Sequence, residues 1–262
     1  MSVDPAFVPT ILLAIVLFFL GRKVQMRYPA MAAAIGVLLA VPATLAVLYY
    51  THLFDHWQWF YQARSLPFSE LSFAGIGFLG GTVFSWQEPE TWRERLVLPL
   101  FTVVFLFVPF MKPLLDPLDL NRLQDRCNGS VCLQSTFSTC GPASAATILR
   151  SYGQNVTERE LAIESLTYRG GTEAWYLARA LRRRENQAEF IFTNANSIPY
   201  PAIAGVRLRG GEGHFIAVLN VTDSVATIVD PLSGEAKITL SALRKQYEFT
   251  GFFLKITPRR QA

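Results

Sequence analysis

Apolar residues crowd into the first 115 positions of this chain, and that crowding limits its possible folds more than any other feature. Four apolar blocks stand there, at about residues 6–20, 29–50, 68–86 and 96–111. A bilayer core takes roughly 20 residues of helix, fewer when flanking groups snorkel to the interface. The pattern therefore predicts an α-helical transmembrane region of four spans over residues 1–115. Overall, 51% of residues are apolar and only 17% charged, a balance too apolar for an ordinary soluble protein. The stretch "MKPLLDPLDL" marks the boundary with two prolines and returning charge. Residues 116–262 alternate strand-like runs with amphipathic helices and read as a second, water-facing domain.

Charge orients the spans. Asp4 and the absence of any positive charge before the first block favour an uncleaved helix over a signal peptide. Arg22, Lys23 and Arg27 follow block one, and Arg93 and Arg95 follow block three; the loop between blocks two and three has only Arg64. Positive residues prefer the cytoplasmic side. Both basic loops then lie inside, and the C-terminal domain is expected on the extracytoplasmic face of a bacterial inner membrane. The loop "THLFDHWQWFYQAR" reads as an interfacial segment with rings at headgroup depth. His52 and His56 are four apart and could meet on one helix face, but a metal needs further ligands and Asp55 points elsewhere on a helix, so no metal is expected. Gly77 and Gly81 form a small-xxx-small pair suited to close helix packing. Charges such as Glu70 fall at span edges, so the spans read as an anchor in the lipid bilayer rather than a transport path.

The net charge of +4 is small and scattered, which gives nucleic-acid binding no support. Arg182, Arg183 and Arg184 are expected to end a helix from about Thr172 and to face water.

In the second domain, Cys140-Gly141-Pro142 opens the run "ASAATILRSYG", so Cys140 stands at a helix N-terminus. The dipole there favours negative charge, and the thiolate is the reactive form of cysteine. Thr157 and Glu160 have capping-box spacing for a second helix. Six strand-like runs follow: "EFIFT", "AIAGVRL", "HFIAVLNV", "VATIVD", "AKIT" and "FTGFFLKI". Helices first and an antiparallel sheet afterwards make an α+β domain. His214, the domain's one histidine, opens "HFIAVLNV" after a glycine-rich loop; Asp230 ends "VATIVD". If those strands pair through a turn at Thr222-Asp223-Ser224, His214 and Asp230 share one end. A cysteine nucleophile needs such a base, and the base an orienting acceptor. Gln134 lies six residues before Cys140, within reach as a side-chain oxyanion donor. Each item alone has an ordinary structural reading, since buried thiols pack and Asp-Pro opens turns. Their joint occurrence points to a site.

"CLQSTFSTCGPASAATILRSYG", "GHFIAVLNV" and "IVDPLSG" resemble the C39 peptidase family, of papain-like fold, over roughly residues 125–256. The resemblance implies Cys140 as nucleophile, His214 as base and acid, Asp230 as its orienter, Gln134 in the oxyanion hole and no cofactor. It also implies a peptide or protein substrate. Members of that family trim leader peptides after a Gly-Gly pair and are often fused to an exporter. Here no GxxxxGK[ST] sequence occurs, and the apolar region precedes the peptidase-like part, so an exporter or precursor partner stays open. A papain-like transferase or amidase and a non-catalytic peptide-binding module are the alternatives. Cys127 and Cys132 fit either a small disulfide or two free thiols. A zinc site from Cys127, Cys132, Cys140 and His214 would leave Gln134 and Asp230 without roles. Asn128, Asn155 and Asn220 begin glycosylation triplets, relevant only in a eukaryotic secretory route.

Overall fold

The structure is a computed structural model that describes residues 4–48, 54, 56–87 and 91–258. In chain order the helices are α1 (Phe7–Arg27), α2 (Pro29–Leu48), α3 (Gln58–Arg64), α4 (Gly75–Gln87), α5 (Trp92–Phe107), α6 (Met111–Leu115), α7 (Cys140–Ser151), α8 (Glu158–Glu164), α9 (Ala174–Arg183) and α10 (Leu240–Gln246). The strands are β1 (Cys127–Asn128), β2 (Val131–Cys132), β3 (Asn186–Phe192), β4 (Ala202–Arg207), β5 (Gly213–Thr222), β6 (Val225–Asp230), β7 (Gly234–Thr239) and β8 (Glu248–Pro258). Residues 3–55 and 68–114 form one compact unit, and residues 56–67 with 115–262 form the other.

In the first unit the expectation of four spans is met in part. Among the described residues, only α1, at 21 residues, is both long and apolar enough to cross a membrane. The apolar stretch described in α2 is Pro29–Val41. The third block is divided: Ser69–Ala74 winds as a 3₁₀ helix and leaves α4 only 13 residues. At 1.5 Å per residue α4 is about 20 Å long, short of the roughly 30 Å hydrocarbon core. The fourth block, α5, carries Pro99 inside the helix and passes into a 3₁₀ turn at Val108–Phe110. Glu70, read as an edge charge, is buried. The glycine pair does pack closely: a Cβ on Gly77 or Gly81 would strike the α1 carbonyls of Ala14 or Phe18. His52 and Asp55 lie outside the described residues.

The second unit places helices before a six-stranded antiparallel sheet of order β3-β8-β4-β5-β6-β7. All six strand-like runs of the sequence fall in it. Helix α7 is buried from Cys140 to Leu149. Only small residues permit that. Gly141 lies 3.4 Å (as an added Cβ) from both Leu177 and Phe215, and Ser144 Oγ donates to the Phe215 carbonyl at 3.2 Å. Ala145, Ala146, Ile148 and Leu149 share one core with Leu177, Leu181, Ala217, Val229 and Leu254. A second cluster, on the opposite strand parity, holds Ile216, Val218, Ile228, Leu243 and Tyr247. Helix α8 begins with the Thr157–Glu160 capping box.

Helix α3 packs within this second unit, which corrects the interfacial reading of its loop. The Tyr61 ring centroid lies 5.3 Å from Phe190, 5.4 Å from Phe192, 5.5 Å from Phe252 and 6.1 Å from Trp175. Phe60 is also buried, whereas Trp57 and Trp59 remain exposed. The basic run does not simply face water either. Arg182 is half-buried: it donates to the Ser65 carbonyl at 3.1 Å, Ser65 Oγ at 2.7 Å, Gln62 Oε1 at 3.1 Å and the Ala188 carbonyl at 2.6 Å. Arg184 pairs with Glu164 at 2.6 Å and Glu160 at 3.4 Å.

Candidate active site

Two strands and one helix bring the site together, and a bulge sets its register. Strands β5 and β6 join through Asp223 and Ser224, at φ 51° and 66°, with Thr222 opposite Val225. Two left-handed residues give the turn a twist matching that of the flanking strands. Asn220 is opposite Thr227, yet Val218 is opposite Ile228, so the register shifts at Leu219. Val229 therefore faces Ala217, and Asp230 falls one step further, on the side of Ile216 and His214. Without the bulge Asp230 would oppose Ala217 and project from the other face, because successive strand residues alternate.

The outcome is a buried bond of 2.9 Å between His214 Nε2 and Asp230 Oδ1. Cys140, at the start of α7, is the other group that acts on the same imidazole and raises its pKa. With Nε2 committed to the carboxylate, Nδ1 is the ring nitrogen left for a second partner. His214 and Asp230 are each 6% exposed and Cys140 9%.

Burial is the largest single influence on His214 and pulls its pKa down. The bonds to Asp230 and Cys140 outweigh it and raise the value from 6.5 to about 9. Asp230 is shifted the opposite way. Burial pushes its carboxyl up, but donors from His214, Tyr247 and the Leu232 N–H hold it below the ordinary carboxylate value.

Gln134 is 6% exposed and pinned from three sides. Its N–H donates to the Pro231 carbonyl at 2.9 Å, which ties it to the residue after Asp230. Its carbonyl accepts from Arg126 Nη2 at 2.9 Å, and its Nε2 donates to the Thr136 carbonyl at 2.9 Å. The Thr136 carbonyl accepts only, so it fixes which end of the amide carries nitrogen. The Gln134 Oε1 is buried with no hydrogen-bond partner among the described residues. Thr136 and Thr139 cap the turn that delivers Cys140. A disulfide joins Cys127 and Cys132, which lie directly opposite in the β1–β2 hairpin; the Cys132 N–H is fastened to Thr147 Oγ1 of α7 at 3.0 Å. With these two cysteines bonded to each other, the four-ligand zinc arrangement is not formed, and no metal-binding cluster is found among the described residues.

Tyr247 is the member that sequence reading missed. Its hydroxyl donates to Asp230 Oδ2 at 2.6 Å, from a position just past α10. Burial first, then Asp230, pushes its pKa up, so it stays a neutral donor. No local motif announces it; only the packing of α10 against the sheet puts it there.

These shifts have signs that can be tested. The stabilisation from His214 is complete below its unfolded value of 6.5 and is lost as pH rises through about 9. That from Asp230 is present above the ordinary carboxylate value and is lost as pH falls through its depressed one. Tyr247→Phe is expected to lower stability at neutral pH by about 1.5–3 kcal/mol, the value of a hydrogen bond to a charged group. It should also move the acid limb to higher pH. Thermal unfolding of both proteins across pH reads this; superimposable curves would exclude Tyr247 from the network.

The profile of the Peptidase C39 family matches residues 129–261. An uncharacterised protein of Methanothermobacter marburgensis is 33% identical over 123 residues, 47% of this chain and 84% of that one. The lactococcin-G-processing and transport ATP-binding protein LagD of Lactococcus lactis subsp. lactis is 27% identical over 136 residues, 50% of this chain but 19% of LagD. Among solved structures, the peptidase domain of Streptococcus ComA, a bi-functional ABC transporter, is 22% identical with a TM-score of 0.44, covering 50% of this chain and 99% of that domain. A double-glycine-motif protease from an AMS/PCAT transporter, solved with its leader peptide, is 24% identical with a TM-score of 0.43, covering 52% and 95%. With half the chain under the family profile, this chain belongs to the Peptidase C39 family.

Proposed function

We propose that the chain is a membrane-anchored cysteine peptidase that cleaves a peptide or protein precursor. One observation carries the reading: a single buried imidazole bonds Asp230 through Nε2, and Cys140 at the start of α7 is the second group that raises its pKa. Cys140 Sγ gives its proton to His214 and attacks the scissile carbonyl. Gln134 Nε2 and the Cys140 N–H, at the open N-terminal end of α7, stabilise the oxyanion. Asp230 keeps the imidazolium charged and oriented. His214 then protonates the leaving amine, and water, deprotonated by His214, releases the acyl group from sulfur. The bacteriocin-processing relatives in Lactococcus lactis favour a precursor peptide as substrate.

The anchor begins with α1, and the further apolar helices complete a multi-pass region in this proposal. Residues 116–262 form the peptidase domain on the extracytoplasmic side. The Cys127–Cys132 disulfide supports that side, since disulfides persist in oxidising compartments.

Alkylation distinguishes the peptidase from a binding module with the same fold. A thiol-directed electrophile at neutral pH is expected to modify Cys140 selectively and faster than a free small thiol, and His214→Ala should abolish the advantage. Mass spectrometry of the adduct reads both. Modification no faster than the free thiol, and indifferent to His214, would favour the non-catalytic module.

A further inference from the structure

The sequence separates α3 from the peptidase domain by an apolar stretch, residues 68–114, yet α3 is part of that domain's packing. Four aromatic rings surround Tyr61. At the C-terminal end of α3 two guanidiniums from α9 take up its acceptors. Arg179 Nη2 donates to the Arg64 carbonyl at 2.6 Å, and Arg182 makes three of its four hydrogen bonds to Gln62 and Ser65. The Arg64 guanidinium in turn lies 5.1 Å from the Trp175 ring centroid. A helix resting in a lipid interface needs none of these partners. Arg179 is only 9% exposed, and a buried cation that loses its acceptor is costly.

We infer that the peptidase domain is discontinuous and recruits the segment His56–Pro67 as an integral element, so that the chain joins it to the apolar region at three junctions, 55/56, 67/68 and 114/115. A fragment beginning at residue 115 would leave Phe190, Phe252 and Trp175 uncovered and Arg182 with one acceptor. The second consequence rests on the membrane-anchoring proposal. Segments 56–67 and 115–262 must occupy the same side, so residues 68–114 cross the bilayer an even number of times or not at all. Interface recognition is chemical and specific: an aromatic floor takes Tyr61, and a pair of arginines takes helix-end carbonyls.

A nicking experiment on the full chain tests it. A site-specific protease sequence is inserted between Leu114 and Leu115, and the detergent-solubilised protein is cut there. Fragment 115–262 is expected to co-elute with the N-terminal fragment. Tyr61→Ala with Gln62→Ala and Ser65→Ala should release most of it, and Arg182→Ala should weaken retention from the other side. Circular dichroism of the uncut variants guards against simple misfolding. Release of a folded 115–262 from the unsubstituted chain, or full retention in the folded triple variant, overturns the inference. A second arm places cysteines at Trp59 and Gln187, both exposed, in a Cys140→Ser background and treats intact cells with a membrane-impermeant maleimide. Equal labelling, or equal protection, agrees with co-folding whether or not the chain is a peptidase. Labelling of one site with protection of the other overturns it. If both sites are labelled or protected together with Lys23→Cys, the anchoring proposal fails while the discontinuous domain stands.

Discussion

Cys140→Ala is expected to abolish turnover of a precursor peptide, with a fall in kcat on the order of 10⁶-fold, the scale known for removal of a nucleophile. The expectation follows from where the sulfur sits. His214 and Asp230 have no other acid to exchange a proton with in the described site, since Tyr247 is neutral and faces the carboxylate, not the substrate side. What remains after the substitution is binding and oxyanion stabilisation. The fold should survive. Cys140 begins α7, its neighbours along the helix are already glycine, proline and alanine, and the lost sulfur costs about 1 kcal/mol of burial. Mass spectrometry of the peptide products with a parallel thermal melt reads both halves of the expectation. Cleavage at the unsubstituted rate would end the assignment of Cys140.

Gln134→Ala is expected to lower kcat by about 10²–10³ with little change in KM, because an oxyanion donor works mainly in the transition state. The separation of backbone and side chain makes this a clean substitution. The backbone bonds to Pro231 and Arg126 do not involve the amide, so the loop keeps its course; only the bond from Nε2 to Thr136 is lost. Steady-state kinetics decides. A change confined to KM would make Gln134 a substrate-binding group, and unchanged kinetics would remove it from the site.

Much of the second unit was legible in the chain. Strand-like apolar runs located all six strands of the sheet, the Thr157–Glu160 spacing located a helix start, and Cys140-Gly-Pro located another. The four candidate residues, Cys140, His214, Asp230 and Gln134, were each nameable from local chemistry. The apolar region was read less well. Hydropathy alone does not see that Ser69–Ala74 turns as a 3₁₀ helix, which shortens α4, or that α5 ends at Phe107 and passes into a 3₁₀ turn. The aromatic loop was misread for a related reason. Trp, Phe and Tyr suit a lipid interface and a protein core equally, and only the presence of Phe190, Phe252 and Trp175 around Tyr61 distinguishes them.

The sequence by itself determined the local elements and the chemical identity of the site, because periodicity, capping and turn preference act over a few residues and leave their mark at fixed spacing. Three things were decided only by the tertiary structure. The register shift at Leu219 turns Asp230 onto the side of His214; strand parity makes one inserted residue the difference between a bonded pair and two residues on opposite faces. Tyr247 reaches Asp230 only because α10 packs on the sheet. Helix α3 belongs with residues more than a hundred positions away because Arg179 and Arg182, once buried, need the carbonyls that its C-terminal end supplies. Each is a pairing between groups far apart in the chain, and such pairings have no spacing to read.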